Sequence, residues 1–241
     1  MSDVIKYAIC AICAIWSKRE EAPPSIAARL CHLFALLKAI DPAFERWFYW
    51  PNDEGLISLD RPGLDIAKLI AANPSRNELG EPEPWWGYRC LVNNTQGDIG
   101  PTDFQIALKA GSRVNFNHLT MSTYHPASAR YPIMKKALLA IAVAFQPEWC
   151  SAGPLDLIHL IDMSRYSRAP MPLSWMINLS PPIAPLVLPP TDIIYEYGGD
   201  SSLFMAATDE MFVTANAAHV AAARKIEAVV DPLNFSLPFD A

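Results

Sequence analysis

Twenty-two prolines punctuate this chain of 241 residues, and they limit its fold more than any other feature. Proline fixes φ and lacks the amide hydrogen that a helix interior or a central strand requires. Prolines this dense predict many short elements joined by rigid connections. Between them lies ample core material: 51% of residues are hydrophobic and only 18% charged. That balance excludes the disordered class. The length suits one large domain, and we read residues 1–241 as a single α+β domain with a mixed, mostly antiparallel sheet and three or four helices.

Residues 4–16, VIKYAICAICAIW, are apolar almost throughout, so periodicity does not separate strand from helix. Ile and Val favour a central strand, and we read one. The run is too short to span a bilayer as a helix. No small-residue cleavage site follows it, so we expect a cytoplasmic chain and no secretory signal. A helix is predicted from Pro23-Pro24-Ser25 to about Ile40, with Ile26, Leu30, Leu33 and Leu37 at helical spacing and Ser25 as its N-cap. Phe44 to Trp50 reads as an aromatic strand, Gly63 to Ala72 as a short helix, and Trp85 to Val92 as a strand. Phe104 to Leu108 and Val114 to Phe116 read as a hairpin around Ala110-Gly111-Ser112. Pro132 to Phe145 and Ala217 to Val230 read as helices. Residues 181–190, PPIAPLVLPP, read as a stiff extended link. Trp175 to Leu179, Asp192 to Tyr197 and Leu203 to Ala207 read as strands, the last two around a Gly198-Gly199 turn. Helices and strands mix without regular βα alternation, which is the α+β pattern.

The net charge of −6 is unevenly placed. From Ile183 onward there are eight acids against Arg224 and Lys225, while 17 acids balance 17 bases before it. No basic cluster of the kind that binds phosphate backbones stands out along the chain, so we expect no nucleic acid partner and no membrane. Asp200, Asp209 and Glu210 flank the Gly198-Gly199 turn and the strand after it. They are the candidates for meeting a basic protein.

Motifs for chemistry are sparse. There is no phosphate loop, dinucleotide fingerprint or G-x-S-x-G elbow. Cys10-x-x-Cys13 lies in an apolar run without a second cysteine pair at zinc spacing. The odd total of five cysteines fits buried thiols in a reducing compartment. His118 and His125 flank Thr120, Ser122 and Tyr124 and, with Asp103, could form a polar cluster, the one place a small hydrolase would work from. No nucleophile–base–orienter set accompanies it. We therefore expect no catalytic residues, cofactor or metal. Aromatic residues are the denser signal. Trp47 and Tyr49 would share one face of a strand, and Phe48 and Trp50 the other. Trp50, Trp85 and Trp86 are candidate anchors at a protein interface.

The order of these features resembles the immunity protein 52 family of bacterial polymorphic toxin systems. The matching pieces begin with the apolar first segment and the helix Ala27 to Ile40, followed by Asp41-Pro42-Ala43-Phe44-Glu45-Arg46-Trp47. Glu78-Leu79-Gly80 then precedes Trp85-Trp86-Gly87. Near the end come Gly198-Gly199, Ala207-Thr208-Asp209-Glu210-Met211-Phe212 and the run Asn216 to Arg224. The resemblance implies an α+β protein that neutralises a cognate toxin, usually a nuclease of the restriction-endonuclease type delivered between bacteria, as by type VI secretion. It brings no catalytic residues. An acidic protein can be steered to a nuclease's basic cleft and occlude it. The alternatives are a small hydrolase using the His118/His125 region and a secretion-system adaptor protein.

Overall fold

The structure is a computed structural model, which describes residues 9–49, 56–95, 104–161 and 173–235. Its centre is the apolar N-terminal segment, which forms strand β1 (Cys10–Trp16). Strand β6 (Asn117–Thr123) and strand β7 (Trp149–Pro154) pair with it on either side, both antiparallel. Every second residue changes face. Cys10, Ile12, Ala14 and Trp16 enter the main core, while Ala11, Cys13 and Ile15 face the other way. The three-residue spacing of Cys10 and Cys13 therefore puts the two thiols on opposite faces of one strand. Neither a metal nor a disulfide can join them there.

The other strands are β2 (Phe48–Tyr49), β3 (Ile57–Ser58), β4 (Trp86–Asn93), β5 (Phe104–Ser112), β8 (Met176–Leu179), β9 (Ile194–Tyr197) and β10 (Leu203–Ala206). Together they make one ten-stranded sheet in the order β3-β2-β4-β5-β6-β1-β7-β8-β10-β9. Every pairing is antiparallel. Four α-helices accompany it: α1 (Pro23–Lys38), α2 (Ile66–Ala71), α3 (Tyr131–Phe145) and α4 (Ala217–Val230). This is the expected α+β class.

The first face lies under α1, α2 and α3. Leu30, Leu33 and Leu37 of α1, Ile70 of α2 and Leu138 and Ile141 of α3 pack on Ile12, Ile106, Leu108 and Met121 of the sheet. A charged clamp joins α1 to α3. The Glu21 carboxylate accepts from Arg19 Nε at 3.0 Å and from Arg29 Nε at 2.6 Å. The same two guanidinium groups donate onward to the carbonyls of Phe145 and Ala144, at the C-terminal end of α3. Cations belong at that end of a helix dipole. Among the described residues, the second face is covered only in part. Ile226 and Val230 of α4 pack on Trp149, Ile177, Leu179, Leu203 and Met205, over strands β7, β8 and β10.

Several local expectations need correction. The N-cap of α1 is Ala22, without a side-chain bond, because Pro23 and Pro24 already occupy the first turn. Phe44 sits in a short 3-10 helix, Pro42–Phe44, whose cap Asp41 accepts from the Ala43 amide, so the aromatic strand shrinks to Phe48–Tyr49. Trp47 and Tyr49 do share the core side. The turn of the β5–β6 hairpin is Arg113 to Phe116, not Ala110 to Ser112. Gly111 stays inside β5 at φ +84°, where an added Cβ would sit 2.6 Å from the Glu21 carbonyl oxygen. It is glycine because another backbone crosses it closely. The proline-rich link contains a 3-10 turn, Ala184–Leu186, and buries Ile183 and Val187 against the second core, so it is no plain extended spacer.

Candidate functional site

Beyond the reach of α4, the second face of β4, β5, β6 and β1 carries a different set of side chains. Register decides which ones. Arg89 is the cross-strand partner of Lys109, and Lys109 is the partner of His118. His118 in turn faces Ile15 of β1. One rung of the sheet thus holds an arginine, a lysine and a histidine side by side. Arg89 is exposed, and Lys109 and His118 are half-buried. Thr120, Ser122 and Gln105 continue the same face.

The rung borders a cleft of about 690 Å³, lined among others by Arg76, Arg89, Lys109, His118, Leu91 and Ala107. It opens at the edge of β4, where the chain from Asn73 to Arg76 runs alongside. The Ser75 amide donates to the Gly87 carbonyl, and the Arg89 amide donates to that of Asn73. Among the described residues no carboxylate lines the cleft. Among the described residues, Arg89 and Lys109 have no ion pair, and Arg76 donates only to the Gly80 carbonyl at 2.7 Å. His118 Nδ1 is buried without a hydrogen-bond partner.

The electrostatics follow from that crowding. Burial, then the charges of Lys109 and Arg89, hold the His118 imidazole below its usual pKa. Burial, then Arg89, does the same to Lys109. Like charges directly opposed across a ladder destabilise it by roughly 0.2–1 kcal/mol. An anion in the cleft would reverse every one of these penalties.

The residues picked out by sequence fall into separate places. Trp50 and Asp103 lie outside the described residues. Trp85 is exposed and Trp86 half-buried, at the start of β4. Trp85 borders the β5–β6 turn, whose Arg113 amide donates to its carbonyl at 3.1 Å. Val114 and Phe116 are exposed in that turn, and the Phe116 ring centroid is 6.1 Å from that of His118. Trp85 therefore stands at the same end of the sheet as the basic rung, but it borders a separate hollow with Glu20, Glu21, Pro23 and Arg113 beside the start of α1. Asp200 is also at that end, but in the β9–β10 turn, six strand-to-strand steps from β4. That is roughly 29 Å at the usual strand spacing. The Ser202 hydroxyl first, and then the Ser202 amide at 3.0 Å, donate to the Asp200 carboxylate and hold it below its usual pKa. Asp209 and Glu210 are exposed beyond the far end of β10. A Glu210 oxygen lies 3.8 Å from His219 Nε2. The five described candidates, Trp85, Trp86, Asp200, Asp209 and Glu210, do not form one surface.

His118 and His125 are not brought together either. His118 is the second residue of β6, and His125 lies past its end, where Nδ1 accepts from the Ala127 amide. Seven residues of nearly extended chain separate them by roughly 20 Å. Tyr124 donates to Gln105 rather than to either imidazole. All five cysteines are free thiols, with Cys10, Cys90 and Cys150 buried and Cys31 exposed. Among the described residues no group of three or more His, Cys, Asp or Glu side chains could hold a metal ion, and no helix is long and apolar enough to cross a membrane.

No family model matches the chain, and no curated protein matches it. A solved structure does. T6SS protein PA0821 of Pseudomonas aeruginosa superposes with a TM-score of 0.54, over 90% of this chain and 73% of its own, at 11% sequence identity. At that identity the likeness is one of fold.

Proposed function

We propose that this chain is an immunity protein that binds a cognate bacterial toxin of a type VI secretion-related system and neutralises it by contact. The observation that carries this reading is the Arg89–Lys109–His118 rung. It lies half-open on a sheet face, with no carboxylate among the described residues of its cleft, in a chain whose net charge is −6. A fold gains nothing by opposing its own charges, so such a row is best explained by something that binds there. Trp85, Val114 and Phe116 at the same end of the sheet supply apolar anchors of the kind that slow dissociation. The fold likeness to a protein described as a T6SS protein points in the same direction.

The toxin would be a nuclease with a basic phosphate-binding cleft, met in the cytoplasm. The excess negative charge after residue 182, with Asp200, Asp209 and Glu210 exposed, would steer the two together. Binding is favoured over hydrolysis because the two histidines of the alternative site stand apart. The test is co-expression with the toxin encoded beside this gene. Restored growth and co-purification of the pair are the expected result. Co-purification without rescue would indicate an adaptor. Neither rescue nor co-purification would end the immunity reading.

A further inference from the structure

We infer that the cleft over the Arg89–Lys109–His118 rung is a receptor for an acidic segment of the partner protein, binding it through at least two carboxylates. The inference rests on the immunity reading and names the chemistry of its contact. The four basic groups do not converge on a point. Arg89, Lys109 and His118 follow one another across two strand-to-strand steps, a span of about 10 Å, with Arg76 further along the β4 edge. A single phosphate is best held by donors that meet on one centre. Carboxylates two residues apart on an extended segment are about 7 Å apart, which suits a row. Leu91 and Ala107 give the cleft an apolar floor for the intervening backbone and side-chain stems. Of the residues that line the cleft only Tyr49 carries a phenol ring, and that ring is buried in the main core, so the cleft floor offers no open ring on which a base of single-stranded nucleic acid would stack.

The chemistry of occupation is direct. The Arg89 guanidinium can take one carboxylate with two parallel N–H bonds, and the Lys109 ammonium can be shared between two. The buried, unpartnered His118 Nδ1 becomes a donor once protonated. The arriving negative charge favours that protonation.

The test uses the full chain and two charge-matched double variants. Arg89→Gln/Lys109→Gln removes the rung, and Lys38→Gln/Lys68→Gln removes two exposed lysines from α1 and α2, on the other face. Both are measured against the cognate toxin and against fluorescein-labelled hexaglutamate, with inorganic phosphate as competitor. The rung variant should weaken toxin binding and hexaglutamate binding by at least about ten-fold, and the control by less than about two-fold. Circular dichroism and thermal melting establish that both variants are folded. Rescue and toxin affinity unchanged in the rung variant would overturn this inference and leave the immunity reading standing. If the wild-type chain itself fails to bind the toxin, the immunity reading fails, and hexaglutamate decides the cleft: loss of binding in the rung variant alone supports it, and equal loss in both variants overturns it. Phosphate that binds the rung as tightly as hexaglutamate would also overturn it, in favour of a small phosphorylated ligand.

Discussion

Lys109 stands directly across the β5–β6 ladder from His118 and directly across the β4–β5 ladder from Arg89. An arginine, a lysine and a histidine therefore share a line of side chains that water reaches only partly. The placement opposes folding and favours anything negative that comes to it.

The first consequence is a trade between stability and binding. Replacing Lys109 with Gln relieves its repulsion with both neighbours and should raise the unfolding free energy by roughly 0.2–1 kcal/mol. The same variant should bind the toxin more weakly. Urea unfolding and a binding titration on one preparation check both. A variant that loses stability would show that Lys109 has a structural partner after all.

His118 gives a pH signature. Its folded pKa is lowered, by burial first and then by Lys109 and Arg89, whereas the unfolded side chain titrates near 6.5. Between those values the unfolded chain binds more protons than the folded one, so stability falls with falling pH. Its contribution is intact above about pH 6.5 and is lost as the pH drops through the folded value. His118→Gln removes that dependence. Urea midpoints of the two proteins should differ by a constant above pH 6.5, and the difference should shift in favour of the variant below it.

The Glu21 clamp should matter far more than a surface ion pair. Its carboxylate is 8% exposed and holds two guanidinium groups that are themselves about a quarter exposed. Glu21→Gln takes from both cations the acid that bridges them, leaving only the weaker influence of Glu148 on Arg19. The loss should be about 2 kcal/mol, less than the ~3–5 kcal/mol of a fully buried pair because both arginines reach water. Thermal melting measures it, and an unchanged midpoint would mean that the clamp is neutral.

The acids of the last quarter should behave oppositely. Asp200, Asp209 and Glu210 are exposed, and changing them to Asn or Gln should alter stability by less than about 0.5 kcal/mol. Association with the toxin should slow, most at low salt. Stopped-flow association at several ionic strengths reads this. Equal rates and equal salt slopes would leave the basic cleft as the sole electrostatic contact.

Thiol chemistry offers an independent reading of the core. Without reductant, denatured protein should show five reactive cysteines. Native protein should react first at exposed Cys31, while Cys10, Cys90 and Cys150 stay protected. Burial pushes the thiols of Cys10 and Cys90 up to about 12, so they have almost no thiolate at neutral pH. Fast labelling of either would show that the sheet opens locally.

Much of the fold was legible because its signals are local. The apolar run of β1, the leucines of α1, the bounds of α4 and the Gly198-Gly199 turn each lie within one stretch of sequence. Gly111 misled because a glycine reads as a turn, and nothing nearby in the sequence announces that Glu21 will cross it. The basic rung was not legible at all. Arg89, Lys109 and His118 are spread over 30 positions among balancing acids, so charge counted along the chain averages them away. Only the register of two ladders, in which a slip of one residue would send each side chain to the opposite face, lines them up. Had those two pairings been guessed, the row of cations would have been visible from sequence.

The central place of β1 also sets the order in which this protein can come into being. Its partners lie from 101 residues away, Trp16 with Asn117, to 144 residues away, Cys10 with Pro154. During synthesis this wholly apolar strand is made well before either neighbour exists. It must wait, unpaired, until most of the sheet has left the ribosome, and contacts this distant in sequence form slowly. A chain halted before residue 117 would carry an adhesive strand with nothing native to hold, so truncated or stalled copies should be the species that chaperones retain.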